Sequence, residues 1–247
     1  MTKTIDLNAD LGEGAGEDSA LLGIVSSCSI ACGGHAGTAE TMRETLRMAM
    51  AQGVVCGAHP SYPDREGFGR RSLAISEEAL RTALLRQVGE LKAIANEEGV
   101  TLKHLKPHGA LYNDAARERR LADIVASVLA GVLPGAALVG PPRSNLQDAA
   151  ARSGLPFMAE GFIDRAYRSD GILVPRGEPD ALITESGMRR DQAVRLARGE
   201  PVDASGGPLT LQVETLCIHG DSEGAAATAL DVREALEEAG FEISRTA

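Results

Sequence analysis

"GVVCGAHP", residues 53–60, sets Val54, Val55 and Cys56 between two glycines and stops at a histidine and a proline. A short β-branched run bounded this way reads as a buried strand that runs into a loop. The same form recurs along the chain in "TIDLNADLG" (4–12), "CSIACGGH" (28–35), "LKHLKPHG" (102–109), "AALVGPP" (136–142), "LPFMAEGF" (155–162) and "LQVETLCIHGD" (211–221). Between these runs lie segments with helical spacing. Leu80, Leu84, Val88, Leu91 and Ala95 form one stripe, opened by Ser76 and stopped by Gly99. Met42, Leu46, Ala49 and Met50 form a second, ended by Gly53, and Ala225, Ala229, Val232, Leu236 and Ala239 form a third. Strand–helix alternation implies parallel strands with helices outside. Seven units without a dinucleotide fingerprint favour a closed barrel over an open sheet. The expected fold is therefore α/β, a distorted (β/α)7 barrel in one domain spanning 1–247. Residues 165–210, rich in Gly, Pro and charge, are expected to form an irregular insertion before the last strand.

Composition narrows the function. A net charge of -10 argues against nucleic-acid binding, which needs Lys and Arg to neutralise phosphates. No apolar run approaches the ~20 residues of a membrane span. The opening "MTKTIDLNAD" enters a strand pattern directly, with no apolar targeting segment. Cys28, Cys32, Cys56 and Cys217 sit in apolar runs rather than at loop spacings, so reduced thiols and a cytoplasmic location are expected.

Polar residues collect where the strands end. Asn8, Asp10 and Glu13 follow the first run, and His35 the second. His59, Asp64 and Arg65 follow the third, and Lys106 and His108 the fourth. Glu160, Asp164 and Arg165 follow the sixth, and His219 and Asp221 the last. Parallel barrels build their active sites from loops at these ends. His104 lies within its strand and is expected to be structural. Each residue also has an ordinary use: Asp221 as a helix cap, Asp10 and Glu13 as turn residues, Lys106 as a surface charge. One shared site accounts for all of them together. The loop "HPSYPDREGFGRR" (59–71) combines helix-breaking Pro and Gly with three arginines suited to carboxylate or phosphate, and reads as a lid.

Metal and nucleotide signals are weaker. No paired-cysteine zinc motif is present, and Cys28 and Cys32 alternate onto one strand face as core residues do. Asp10, His35 and His59 are the candidate ligands should a divalent ion bind, but no tightly held zinc is expected. The chain has no GxxxxGK[ST] loop, and the Gly-rich "NADLGEGAGED" is acidic, which suits a cation better than a phosphate.

Five ordered motifs, "DLNADLGEG", "SIACGGHAG", "GAHPSYPDREGFGRR", "KPHGALYN" and "CIHGDS", resemble those of the LamB/YcsF family over essentially the whole chain. That resemblance implies a barrel related to the polysaccharide deacetylases. It also implies ATP-dependent opening of 5-oxoproline to L-glutamate, with ATP and Mg²⁺ as cofactors and with the 5-oxoprolinase subunits B and C as partners. On chemical grounds Lys106 would stabilise charge on the lactam or phosphoryl oxygen, and His108 would pass a proton to the departing ring nitrogen. Asp10, Glu13 or Asp221 would activate water or hold Mg²⁺. Asn8, His35, His59, Arg65, Arg70, Asn113, Glu160 and His219 are expected to bind substrate, an arginine of the lid taking its carboxylate. Replacing Lys106 or His108 should lower turnover and barely change stability, since both would face the cavity. Two other readings remain open, a metal-dependent amide or carbohydrate deacetylase and a non-catalytic protein that only binds a ligand.

Overall fold

The computed structural model describes residues 3–220 and 224–244. Its strands are β1 (Lys3–Leu11), β2 (Ser27–Ala31), β3 (Val55–His59), β4 (His104–Leu105), β5 (Ala137–Gly140), β6 (Phe157–Phe162), β7 (Tyr167–Arg168), β8 (Ala204–Ser205), β9 (Thr215–Ile218) and β10 (Phe241–Ile243). Its helices are α1 (Asp18–Leu22), α2 (Ala39–Gln52), α3 (Glu77–Glu97), α4 (Gly109–Arg117), α5 (Arg119–Val132), α6 (Asn145–Arg152), α7 (Ser186–Arg198) and α8 (Ala225–Glu238).

Seven parallel strands close on themselves in the order β1-β2-β3-β4-β5-β6-β9, with β9 returning to β1. β10 adds to the start of β1, pairing Lys3 with Phe241. All seven strands fall on the apolar runs expected from sequence, and closure leaves none of them with an open edge between β1 and β9. β4 is the shortest of the seven, and beyond it the Lys106 and His108 N–H groups, on either side of Pro107, still donate to the Ala58 and Pro60 carbonyls.

Helix boundaries follow local chemistry. The Ser76 hydroxyl accepts from the Ala79 N–H to begin α3, and Gly53 closes α2 in the left-handed region at φ 68°. Thr38 and Thr41 bond each other reciprocally at the start of α2. Met50 departs from expectation: it is 53% exposed, so the buried face of α2 is Met42, Thr45, Leu46 and Ala49. No described helix is long and apolar enough to cross a membrane.

Segment 165–210 is less irregular than its composition suggests. It is the connection from β6 to β9, and it contains the crossover helix α7 that any parallel pair requires. Arg189 and Arg190 tie α7 to Thr228 and Asp231 of α8. The irregular part is confined to the short β7–β8 pair and its turns.

Candidate active site

β1 alternates Asp6, Asn8 and Asp10 on the face that points into the barrel, while Leu7, Ala9 and Leu11 pack outward in the core. Asp6 accepts hydrogen bonds from the Ser26, Ser27 and Thr215 hydroxyls deep in the interior. Asn8 donates to Thr215 Oγ1 at 2.7 Å and to Glu160 Oε1 at 3.1 Å. The polar residues therefore continue below the strand ends as a column through the barrel. Asp6, Ser29 and Thr215 were absent from the sequence candidates, although Asp6 lies two residues before Asn8 on the same strand face. His104 also lies inside, with Nε2 3.0 Å from the Ser29 hydroxyl. Gly57 makes room for that ring, since a Cβ there would sit 2.3 Å from it.

Lys106 crowns the column. It is 2% exposed, and Nζ lies 2.7 Å from Asp10 Oδ1, 2.9 Å from Glu160 Oε1 and 2.9 Å from Asn8 Oδ1. An ammonium has three N–H donors, and Asn8 Oδ1, Glu160 Oε1 and Cys217 Sγ (3.3 Å) accept them, while Asp10 faces it as an ion pair. Burial alone would favour the neutral amine, but the Asp10 and Glu160 carboxylates hold Lys106 well above its ordinary pKa. Burial likewise opposes ionisation of Asp10, and its contacts with His59 and Lys106 overcome it and keep the carboxyl well below the usual range. Lys106 lines the cavity as expected, but its burial and ion pairs also make it part of the folded frame, so its removal should cost stability. Asn8 and Glu160 serve the same frame and are absent from the cavity lining.

Beside this network three imidazoles converge on Glu13. Glu13 Oε1 lies 2.8 Å from His35 Nε2, 3.2 Å from His108 Nδ1 and 3.8 Å from His59 Nε2. The His35 and His108 rings stack with centroids 3.6 Å apart, and His59 stands edge-on to both. Burial pushes the His35 pKa down to about 4 and lowers that of His108. Burial raises the Glu13 carboxyl, but its contacts with His108 and His35 more than offset this and draw it below the ordinary carboxylate range.

The loop after β3 covers the histidines. Phe68 adopts φ 53°, a left-handed conformation uncommon for a bulky side chain, and its carbonyl faces His108 Nε2 at 3.0 Å. Gly69 accepts from the Ala110 N–H at 2.9 Å, and a Cβ on Gly109 would lie 2.6 Å from that same carbonyl oxygen. Asp64 accepts from the Gly67 N–H and pairs with Arg71 to hold the turn. Arg65 does not reach the cavity. It is exposed and donates to the Gly33 and Gly37 carbonyls, bracing the loop after β2.

A cavity of about 290 Å³ opens at the strand ends. Asp10, His59, Lys106 and His108 form one wall, and Phe162, Arg165 and His219 line it elsewhere. Arg70, Ser72, Tyr112, Asn113, Asp114, Arg117 and Arg176 add to the polar lining, and of these Ser72, Asp114, Arg117 and Arg176 were not singled out from the sequence. The Arg70 guanidinium lies over the Phe68 ring, 4.9 Å from its centroid. Arg165 spends donors on the Val174 and Ala181 carbonyls, and burial pulls its pKa down to about 10. His219 Nδ1 lies 2.9 Å from Asp164 Oδ2, and the ring stacks on Phe162. Burial opposes ionisation of Asp164, but the His219 charge and hydrogen bond keep its carboxyl below the usual range. His35 and Glu13 are absent from the lining and act from behind it. Asp221 falls outside the described residues.

The LamB/YcsF family model matches residues 5–247. The chain belongs to the LamB/YcsF family. Among LamB/YcsF relatives, the 5-oxoprolinase A subunit of Chloroflexus aggregans is 49% identical, covering 97% of this chain and 98% of the relative. The solved lactam utilization protein of Thermus thermophilus superposes with a TM-score of 0.91 at 41% identity, covering 98% and 100% of the two chains. The peptidoglycan deacetylase PdaC of Bacillus subtilis, at TM-score 0.50 and 12% identity over 98% of this chain and 87% of its own, shares the barrel alone. The LamB/YcsF motifs and the strand ends coincide: each contributes at least one residue to the cavity wall or to the cluster behind it.

Proposed function

We propose that this chain is the A subunit of an ATP-dependent 5-oxoprolinase, opening 5-oxo-L-proline to L-glutamate together with subunits B and C. The observation that carries this reading is Asp10, 2.7 Å from the buried Lys106 ammonium at the wall of a small cavity with arginines in its lining. The relative named as a 5-oxoprolinase A subunit, alike over nearly the full length of both chains, supplies the reaction.

The chemistry distributes over the wall as follows. A five-membered lactam acid suits a cavity near the lower limit of small-molecule pockets, roughly 300 Å³. Arg70 or Arg176 would take the substrate carboxylate through paired N–H donors. Asp10, which lines the cavity beside Lys106 and His59, would take the proton of the attacking water. Lys106 positions Asp10 through its charge rather than meeting the lactam oxygen, because its three donors go to Asn8, Glu160 and Cys217. His108 has both ring nitrogens facing other groups, so the proton for the departing ring nitrogen passes instead to His219. With Nδ1 on Asp164, His219 keeps Nε2 for the cavity, where it makes no hydrogen bond to a described residue.

ATP with Mg²⁺, implied by the family resemblance, would activate the lactam by phosphorylating its oxygen. The arginines of the cavity fit a phosphoryl group, but about 290 Å³ does not enclose a whole nucleotide, which would extend toward a partner chain. Reconstitution tests the reading in two ways. Omitting this chain, or either partner, should abolish ATP-driven glutamate release. With ¹⁸O in the ring carbonyl, the label should appear in inorganic phosphate. Glutamate release from the partners alone would overturn the assignment, and unlabelled phosphate would overturn the phosphorylated-lactam step.

A further inference from the structure

The histidine cluster contains more acceptors than donors. His59 Nδ1 lies 2.8 Å from the Lys106 carbonyl oxygen, and His108 Nε2 lies 3.0 Å from the Phe68 carbonyl oxygen. A carbonyl oxygen only accepts, so each of those ring nitrogens carries its hydrogen. In the neutral rings His59 Nε2 and His108 Nδ1 are then bare lone pairs, and they face each other at 3.0 Å. Their remaining neighbours accept as well: Asp10 Oδ2 lies 3.3 Å from His59 Nε2, and Glu13 Oε1 lies 3.2 Å from His108 Nδ1. Buried acceptors so arranged repel one another unless a cation sits among them.

We propose that Glu13, His59 and His108 form a binding site for one divalent transition-metal ion, at the wall of the cavity. The spacing fits. A tetrahedral ion with bonds of about 2.0–2.1 Å separates its ligand atoms by roughly 3.3 Å. The three separations here are 3.0, 3.2 and 3.8 Å, and all four ligand atoms of Glu13, His35, His59 and His108 lie within 4.8 Å of one another. The surroundings fit too. Ligating histidines give their other N–H to a carbonyl or carboxylate, which fixes the tautomer that presents the lone pair. His59 and His108 both have this arrangement. His35 supports from behind, its Nε2 directed at Glu13 Oε1 from 2.8 Å while its Nδ1 bonds no described residue. Imidazole nitrogen with one carboxylate suits zinc and its first-row neighbours rather than magnesium or calcium. Two His and one Glu leave a coordination position open, as catalytic zinc sites do. Because His59 and His108 line the cavity, that position would face substrate or water.

The sequence expectation of no tightly held zinc rested on the cysteines, and this site uses none. Its candidate set of Asp10, His35 and His59 shares only His59 with the ligands proposed here. The site stands apart from the 5-oxoprolinase reading, because binding is measured on the chain itself, without partners or turnover. The full chain, stripped with chelator and titrated with Zn²⁺ against a chromophoric competitor, should take up one equivalent, and its thermal midpoint should rise. Co²⁺ in place of Zn²⁺ should give the strong visible absorption of a four- or five-coordinate site. His108→Gln and Glu13→Gln should weaken Zn²⁺ binding by roughly a hundredfold or more, whereas a change behind the ligands, His35→Gln, should weaken it by about 10–100-fold. A wild-type chain that binds no Zn²⁺ and gives only the pale spectrum of aqueous Co²⁺ would overturn the proposal and leave a shared proton as the cation of the cluster. Zinc uptake that is unchanged in folded His108→Gln and Glu13→Gln would overturn it equally.

Discussion

Two polar clusters meet at Asp10 and are built on opposite principles. Around Lys106 every donor has an acceptor: one ammonium faces Asp10, Glu160 and Asn8 at 2.7–2.9 Å, deep between strands of the barrel. Around Glu13 the acceptors outnumber the donors, and three rings and a carboxylate press together beneath a loop held by Phe68 and Gly69. The first arrangement meets its cation with groups of the chain itself and holds the strands in place. The second is completed only by something it binds. Two residues of one motif, Lys106 and His108, thus belong to different physical classes, and chemistry is expected where the interactions are incomplete.

The largest effect should come from the complete cluster. Lys106→Ala leaves Asp10 and Glu160 buried without their counter-charge, which should destabilise the chain by about 3–5 kcal/mol in urea unfolding. A loss under about 1 kcal/mol would mean that water reaches these carboxylates and that the cluster is not the closed frame described. Next in size is His219→Gln in the reconstituted enzyme. Turnover should fall roughly 10²-fold, about 2.7 kcal/mol of transition-state stabilisation, with the unfolding midpoint preserved. A near-normal rate would return the acid role to His108. The smallest change should be the stability of His108→Ala without metal. Lost ring stacking is partly offset by relief of the facing lone pairs, so the loss should stay below about 2 kcal/mol. A destabilisation as large as that of Lys106→Ala would erase the distinction between the two clusters.

Much of this was legible along the chain because periodicity is a local property. Runs such as Val54–Ala58 have the length and branching of buried strands, and Ser76 and Gly99 mark where a helix can begin and end. Polar residues directly after such runs point to the open end of a parallel barrel, and Asp10, His59, Lys106, His108, Arg70, Asn113 and His219 all line the cavity. Segment 165–210 was harder to read, because α7 carries charged residues on most of its surface and shows only a weak apolar stripe.

What only the tertiary structure decided was partnership. Nothing in "KPHGALYN" says that Lys106 will meet residues 98, 96 and 54 positions away in sequence, because barrel closure brings β1, β4 and β6 together. Nor does the sequence distinguish Arg70, beside the cavity, from Arg65, turned onto the Gly33 and Gly37 carbonyls; a backbone turn of a few residues makes that choice. The sequence by itself determined the seven strands, the end of the barrel that bears chemistry and most of the residues gathered there. Folding determined which of them satisfy one another and which are left facing a ligand, because hydrogen-bond donors are counted in space and not along the chain.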